Sequence, residues 1–179
     1  LALTYSNQQQ AIDLARQQQP DAISYNALPM AFSPYHWQLI AIYPDRYARA
    51  FINLNPGFSG TAPLFDQTFV SGMLSSNMSE PGATVWQMLP AMHTVKHVDA
   101  FPGTQFYEWF ASYPVLIEQN DEHLIFGDLA FGGGAPGMRP AFQLQINFTN
   151  NTTHKSKNQP ARAWLIWRND HRSELIDID

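Results

Sequence analysis

The sequence predicts an α+β fold: a mainly antiparallel β-sheet of five or six strands, covered by one or two helices. Two observations carry this. Apolar and aromatic runs of strand length recur at 36–43, 47–54, 124–131, 142–148 and 162–168, and the two helical patterns, 6–19 and 104–113, do not alternate with them as βαβ units would.

The elements follow in order. Ser6-Asn7-Gln8-Gln9 has the form of a capping box, and good helix formers run from there to Gln19, where Pro20-Asp21 stops them. The apolar residues of this helix, Ala11, Ile12, Leu14 and Ala15, are few among many glutamines, so it reads as a wet connecting helix. Runs 36–43 and 47–54 flank Pro44-Asp45 and form a hairpin, the second alternating Tyr47, Arg49, Phe51 against Ala48, Ala50, Ile52. From 55 to 91 the chain is rich in Pro, Gly, Ser and Met, an irregular excursion with one short strand at 64–70. Pro102-Gly103-Thr104 opens a second helix, in which Phe106, Trp109, Phe110 and Tyr113 fall at i, i+3, i+4 and i+7 and form one aromatic face to be buried. Three strands then form a meander, in which Phe142, Leu144, Ile146 and Phe148 alternate against Gln143, Gln145 and Asn147.

Composition narrows the function classes. Charged residues make up 14% of the chain against a typical ~25%, so a folded chain with an unusually neutral surface is expected, suited to proximity to a membrane or a partner. Net charge is −5 and the lysines are three, Lys96, Lys155 and Lys157, which argues against nucleic acid as a partner. The absence of cysteine excludes disulfides, thiolate metal sites and cysteine nucleophiles. No run reaches the ~20 apolar residues of a membrane span.

Few motifs carry chemistry. His93-Thr94-Val95-Lys96-His97 spaces two imidazoles at i and i+4, which on a helix would share one face as metal ligands, with Asp99 nearby; ordinary surface histidines are the other reading. Gly132 to Gly137 lacks the Lys and Ser/Thr of a phosphate loop and reads as a hairpin connection. Gly57-Phe58-Ser59-Gly60 falls short of a nucleophile elbow. Glu118, Asp121 and Glu122 with Asn120 read as a solvated loop, and Asp128, inside an apolar strand, as a structural hydrogen-bond acceptor. Trp164 and Ile166, with Arg162 and Arg168, form either an aromatic and cationic binding strip or a core face with snorkelling arginines.

Residues 28–54, with Pro29, Pro34 and Trp37 before a hairpin, then the aromatic helix around Phe106-Tyr107-Glu108-Trp109-Phe110 and the strand Gly127-Asp128-Leu129-Ala130-Phe131, resemble in content and order the C-terminal region of the bacterial membrane-bound metal-dependent hydrolases, some of them LexA-regulated. The family's usual Asp-Leu-Arg-Phe strand stands here as Asp128-Leu129-Ala130-Phe131, which puts a shared ligand site in doubt. The family's His/Asp metal motifs lie among its transmembrane segments and match no position here, so the resemblance implies a divalent metal in that membrane part and no catalytic residue in this one. It also implies that residues 1–20 are a stalk following a transmembrane segment, that 21–179 form a single α+β domain, and that the partner is the chain's own transmembrane domain. With Arg16 the sole basic residue of the first twenty, the positive-inside rule favours the periplasmic side of the inner membrane. Three functions are therefore weighed: a non-catalytic accessory domain of such a hydrolase, an envelope ligand- or partner-binding module, and a self-contained metallohydrolase at His93 and His97.

Overall fold

The computed structural model of the chain describes residues 2–30, 34–55, 84–101, 103–131, 141–148, 162–167 and 171–175. Along them run α1 (Ala2–Gln18), β1 (Ser24–Pro29), β2 (His36–Ile42), β3 (Arg46–Asn53), β4 (Gln87–Pro90), α2 (Thr104–Phe110), β5 (Pro114–Gln119), β6 (His123–Asp128), β7 (Phe142–Asn147), β8 (Arg162–Trp167) and β9 (His171–Leu175). The fold is α+β and mainly antiparallel sheet, as the sequence predicts, but the described strands number nine and form two sheets, β1-β2-β3-β4 and β5-β6-β7-β8-β9. The strands the sequence did not announce have weak local signals: β1 ends on Pro29, β5 starts on Pro114, β4 has four residues, and β9 is polar but for its last position. The excursion's expected strand at 64–70, the Gly57–Gly60 turn and the Gly132–Gly137 loop lie outside the described residues.

The chain divides into two compact units, Leu1–Met88 and Leu89–Asp179. In the first, β2 pairs with both β1 and β3 in register, with Leu39 opposite Ala27 on one side and Ala50 on the other. The face carrying Trp37, Leu39 and Ala41 holds Ala27, Ala48, Ala50 and Ile52, and α1 lays Ala11 and Ala15 against part of it, both 0% exposed. Alanine on both surfaces lets the helix backbone approach the sheet closely, so two small side chains suffice where the sequence suggested a wet helix. The helix begins at Ala2 rather than at Ser6, and Ser6 lies inside it instead of capping it.

Side-chain hydrogen bonds fix this packing. The Trp37 indole donates to the Pro34 carbonyl at 3.0 Å, and Asn7 of α1 donates to the same oxygen at 2.9 Å. The proline and tryptophan of the Pro34-Tyr35-His36-Trp37 stretch are thus bonded to each other. At the far end of α1, Tyr25 donates to the Gln19 carbonyl at 2.7 Å, Tyr43 to the Gln19 side chain at 2.6 Å, and Trp86 to Gln18 at 2.8 Å.

In the second unit the core face of the five-stranded sheet is formed by Leu124, Phe126, Leu144, Ile146 and Leu165, covered by Met92, Val98, Tyr107 and Ala111. The alternation expected for β7 holds, since Leu144 and Ile146 are 0% exposed, although Gln143 on the other face is also buried. Because Leu165 belongs to the core, Trp164 and Ile166 lie on the opposite face of β8, where both are half-buried; the side chains of Arg162 and Arg168 are outside the described residues.

The second helix departs from expectation. Instead of burying Phe106, Trp109 and Phe110, α2 turns Tyr107 and Thr104 inward, and Trp109 is 81% exposed. The helix ends at Phe110, with Ala111 already extended, so Tyr113 never joins that face and the i to i+7 stripe does not exist. Tyr107 wins the interior because its hydroxyl has an acceptor there, the Phe142 carbonyl at 3.1 Å. Gly103, at φ 77°, supplies the left-handed turn into the helix that a β-carbon would disfavour.

Candidate functional site

The histidines singled out by spacing are not on a helix. His93 lies in a 3-10 turn, Met92–Thr94, and His97 precedes a second one, Val98–Ala100, in the left-handed conformation at φ 62°. Both are exposed, and the rotation between successive 3-10 turns removes the shared helical face on which the metal reading rested. Among the described residues no three His, Cys, Asp or Glu side chains gather as a metal site would need.

Asp128 is fully buried and acts as a structural acceptor. Its Oδ2 takes the Ser112 N–H at 2.9 Å, and its Oδ1 takes those of Tyr113 and Ala130, each at 2.9 Å. The carboxylate thereby ties the exit of α2, just before β5, to the end of β6 and holds the turn Leu129–Phe131. Burial first, and then the negative charge of Asp128, push the neighbouring Tyr107 hydroxyl well above the usual tyrosine range, so it stays protonated and donating. The acidic group Glu118, Asp121 and Glu122 is exposed; Asn120 Oδ1 caps the turn by accepting the Glu122 and His123 N–H groups, and His123 meets Glu118 at 3.0 Å.

The face of the first sheet turned away from α1 was not anticipated. It carries His36, Gln38, Ile40, Arg49 and Phe51, all buried, with Arg49 only 1% exposed. The Arg49 guanidinium donates to the Gln87 side chain and lies 5.1 Å from the centre of the Phe51 ring. Burial lowers its pKa to about 10, so it remains charged at neutral pH, and burial also lowers His36 below the ordinary histidine value. An arginine, a histidine favoured neutral and two carboxamides hold a charge and offer hydrogen bonds, but the set contains no nucleophile or carboxylate. The alternation of Tyr47, Arg49 and Phe51 was the available signal; that both faces of β3 are buried was not legible from it.

The surface that stands out is aromatic. Phe106 and Phe110 of α2 stack at 6.1 Å, and Phe110 stacks on Phe131 of the following turn at 6.3 Å. Phe142 meets Phe110 and Phe131 edge-on at 5.5 and 5.3 Å, and Trp109 joins through Phe106 at 5.9 Å. Three members of this ladder remain open to solvent, Trp109 at 81%, Phe131 at 46% and Phe106 at 44%. Rings stacked upon one another yet left exposed form a pre-ordered apolar platform, whose aromatic geometry favours a surface more than a single small molecule.

Compared with known proteins, the chain matches no family model, no curated protein and no solved structure. Among the described residues no helix is long and apolar enough to cross a membrane.

Proposed function

We propose that this chain is a soluble accessory domain of a membrane-bound metal-dependent hydrolase, without the hydrolytic residues itself, working beside the bilayer on the periplasmic side of the bacterial inner membrane with its own transmembrane domain as partner. The observation that carries this reading is the exposed aromatic ladder of Trp109, Phe106 and Phe131. Tryptophan is at home at the bilayer interface, where its apolar ring and its polar N–H are both accommodated, and phenylalanine inserts there as a purely apolar ring. The low charge of the chain supports it too, since an interface of this kind binds by apolar burial and needs no basic patch. The resemblance of the motif order to the hydrolase family supports this choice of parent, and the single basic residue in the first twenty positions supports the outer side.

The test is co-sedimentation of the purified chain with phosphatidylcholine vesicles. The chain is expected to pellet with them at physiological salt, and the Trp109→Ala, Phe106→Ala double variant to stay in the supernatant; equal pelleting of both would remove the aromatic surface from the argument. Zinc or manganese retained stoichiometrically by the chain, and lost in a His93→Ala, His97→Ala variant, would instead move the chemistry into this domain.

A further inference from the structure

The second unit carries a groove of about 400 Å³ whose floor is the outer edge of its hydrophobic core. Val95, Phe101, Leu116 and Phe148 pack half-buried against the core cluster and present their outer sides to the groove, with Leu124 behind them. Phe101 and Phe148 face each other at 5.8 Å, a tilted aromatic pair lining the floor. The mouth is polar: Thr94 and Gln119 stand at it, and Lys96 is the single charge of the lining. This volume lies toward the small end of ligand pockets, roughly 300–1,000 Å³, and the lining has their usual make-up of apolar walls with a few placed polar groups.

Two backbone irregularities shape the rim. Strand β5 slips register against β6 between Leu116 and Glu118, a bulge that alters the direction of the strand where Leu116 and Gln119 meet the groove. On the other side, Val95 to His97 form a tight knuckle between two 3-10 turns, and His97 takes a left-handed conformation uncommon outside glycine. That knuckle brings Val95 to the floor and Lys96 to the mouth from adjacent positions.

We propose that this groove binds a single-chain amphiphile with an anionic head, a medium-chain carboxylate, whose tail lies over Phe101, Leu116, Leu124 and Phe148 and whose head meets the Lys96 ammonium. The commitment to an anion follows from charge: in a chain of net charge −5, the groove is lined by one of only three lysines and by no acidic residue. The inference does not rest on the bilayer reading, because groove and aromatic ladder share no residue.

The experiment is a titration of the purified, ¹⁵N-labelled full chain with octanoate, followed by amide chemical shifts, with octanol, acetate and inorganic phosphate as comparison ligands. Octanoate is expected to saturate and to move the amides of Val95, Leu116, Leu124 and Phe148. Lys96→Ala should weaken it roughly three- to fivefold, the size of an exposed charge pair, while Lys96→Arg retains it. Octanol should bind parent and Lys96→Ala alike, and Gln119→Trp, which places a ring over the groove from an exposed position, should abolish octanoate binding in a chain that still folds. The proposal is overturned if octanoate leaves those amides unmoved, if Lys96→Ala binds it as the parent does, if Gln119→Trp still binds it, or if acetate or phosphate binds as tightly.

Discussion

Replacing Asp128 by alanine tests whether the second unit is closed by that carboxylate, and the cost can be worked from its bonds. The side chain is 0% exposed and accepts the N–H groups of Ser112, Tyr113 and Ala130, each at 2.9 Å. A buried donor stripped of its acceptor costs about 1–3 kcal/mol. Ser112 is exposed, so water replaces Asp128 at its N–H, whereas Tyr113 and Ala130 are only partly exposed. Two donors at about 1.5 kcal/mol each give about 3 kcal/mol, and relief from burying a carboxylate lowers the net to about 2–3 kcal/mol. Asp128→Asn is the discriminating partner. With its carbonyl oxygen in the place of Oδ1 it keeps the Tyr113 and Ala130 bonds but sets its NH2 against the Ser112 N–H, donor against donor, so it should cost about 1 kcal/mol. Urea unfolding of the three proteins gives the free energies, and hydrogen exchange localises the change to the amides of Ser112, Tyr113, Val115 and 129–131. An alanine variant within about 0.5 kcal/mol of the parent would refute the reasoning, since that is the scatter of neutral surface substitutions.

The first unit yields three further expectations. Trp37→Phe removes the indole bond to Pro34 and leaves a cavity at a 1% exposed position, so thermal unfolding should show a loss of about 2–3 kcal/mol. Ala11→Leu forces an isobutyl group between α1 and the sheet and should cost about 1–3 kcal/mol, whereas a helix standing free as a stalk would tolerate it without loss. His36 has a folded pKa below its ordinary value of 6.5 because it is buried, so the unfolded chain binds the proton more tightly. Its contribution is therefore complete above about pH 6.5 and lost as pH falls through the lower folded value, and His36→Gln should flatten the urea midpoint between pH 7 and 5 relative to the parent.

What was legible in the sequence is what local pattern determines. The hairpin of β2 and β3 was visible because strand alternation and Pro44-Asp45 are near neighbours, and β7 because Leu144 and Ile146 alternate with glutamines. Asp128 was legible as well, since a carboxylate in an apolar strand needs donors wherever the strand goes. The orientation of α2 was not. Its aromatic spacing satisfied a helical stripe, yet a seven-residue helix presents little more than one face per turn, and the choice between Phe106 and Tyr107 was decided by an acceptor on Phe142, thirty-five residues away from Tyr107. The groove was hidden for the same reason, because Val95, Leu116 and Phe148 lie in three separate segments with unremarkable local sequence.

The orientation of α2 bears on function. Had Phe106, Trp109 and Phe110 been buried as their spacing suggests, they would be core and would say nothing about partners. Turning Tyr107 inward instead satisfies its hydroxyl and leaves three rings outside, one of them a tryptophan 81% exposed. Leaving that much aromatic area in water forgoes stabilisation of roughly 1.5–3 kcal/mol for a large apolar side chain that could have been buried. The stacking of Phe106, Phe110, Phe131 and Phe142 offsets part of that loss and holds the platform in one shape before anything lands on it. Preformed order at an exposed apolar surface lowers the entropy that binding would otherwise cost, so the orientation of one short helix both weakens the local fold and prepares the surface we propose for the bilayer.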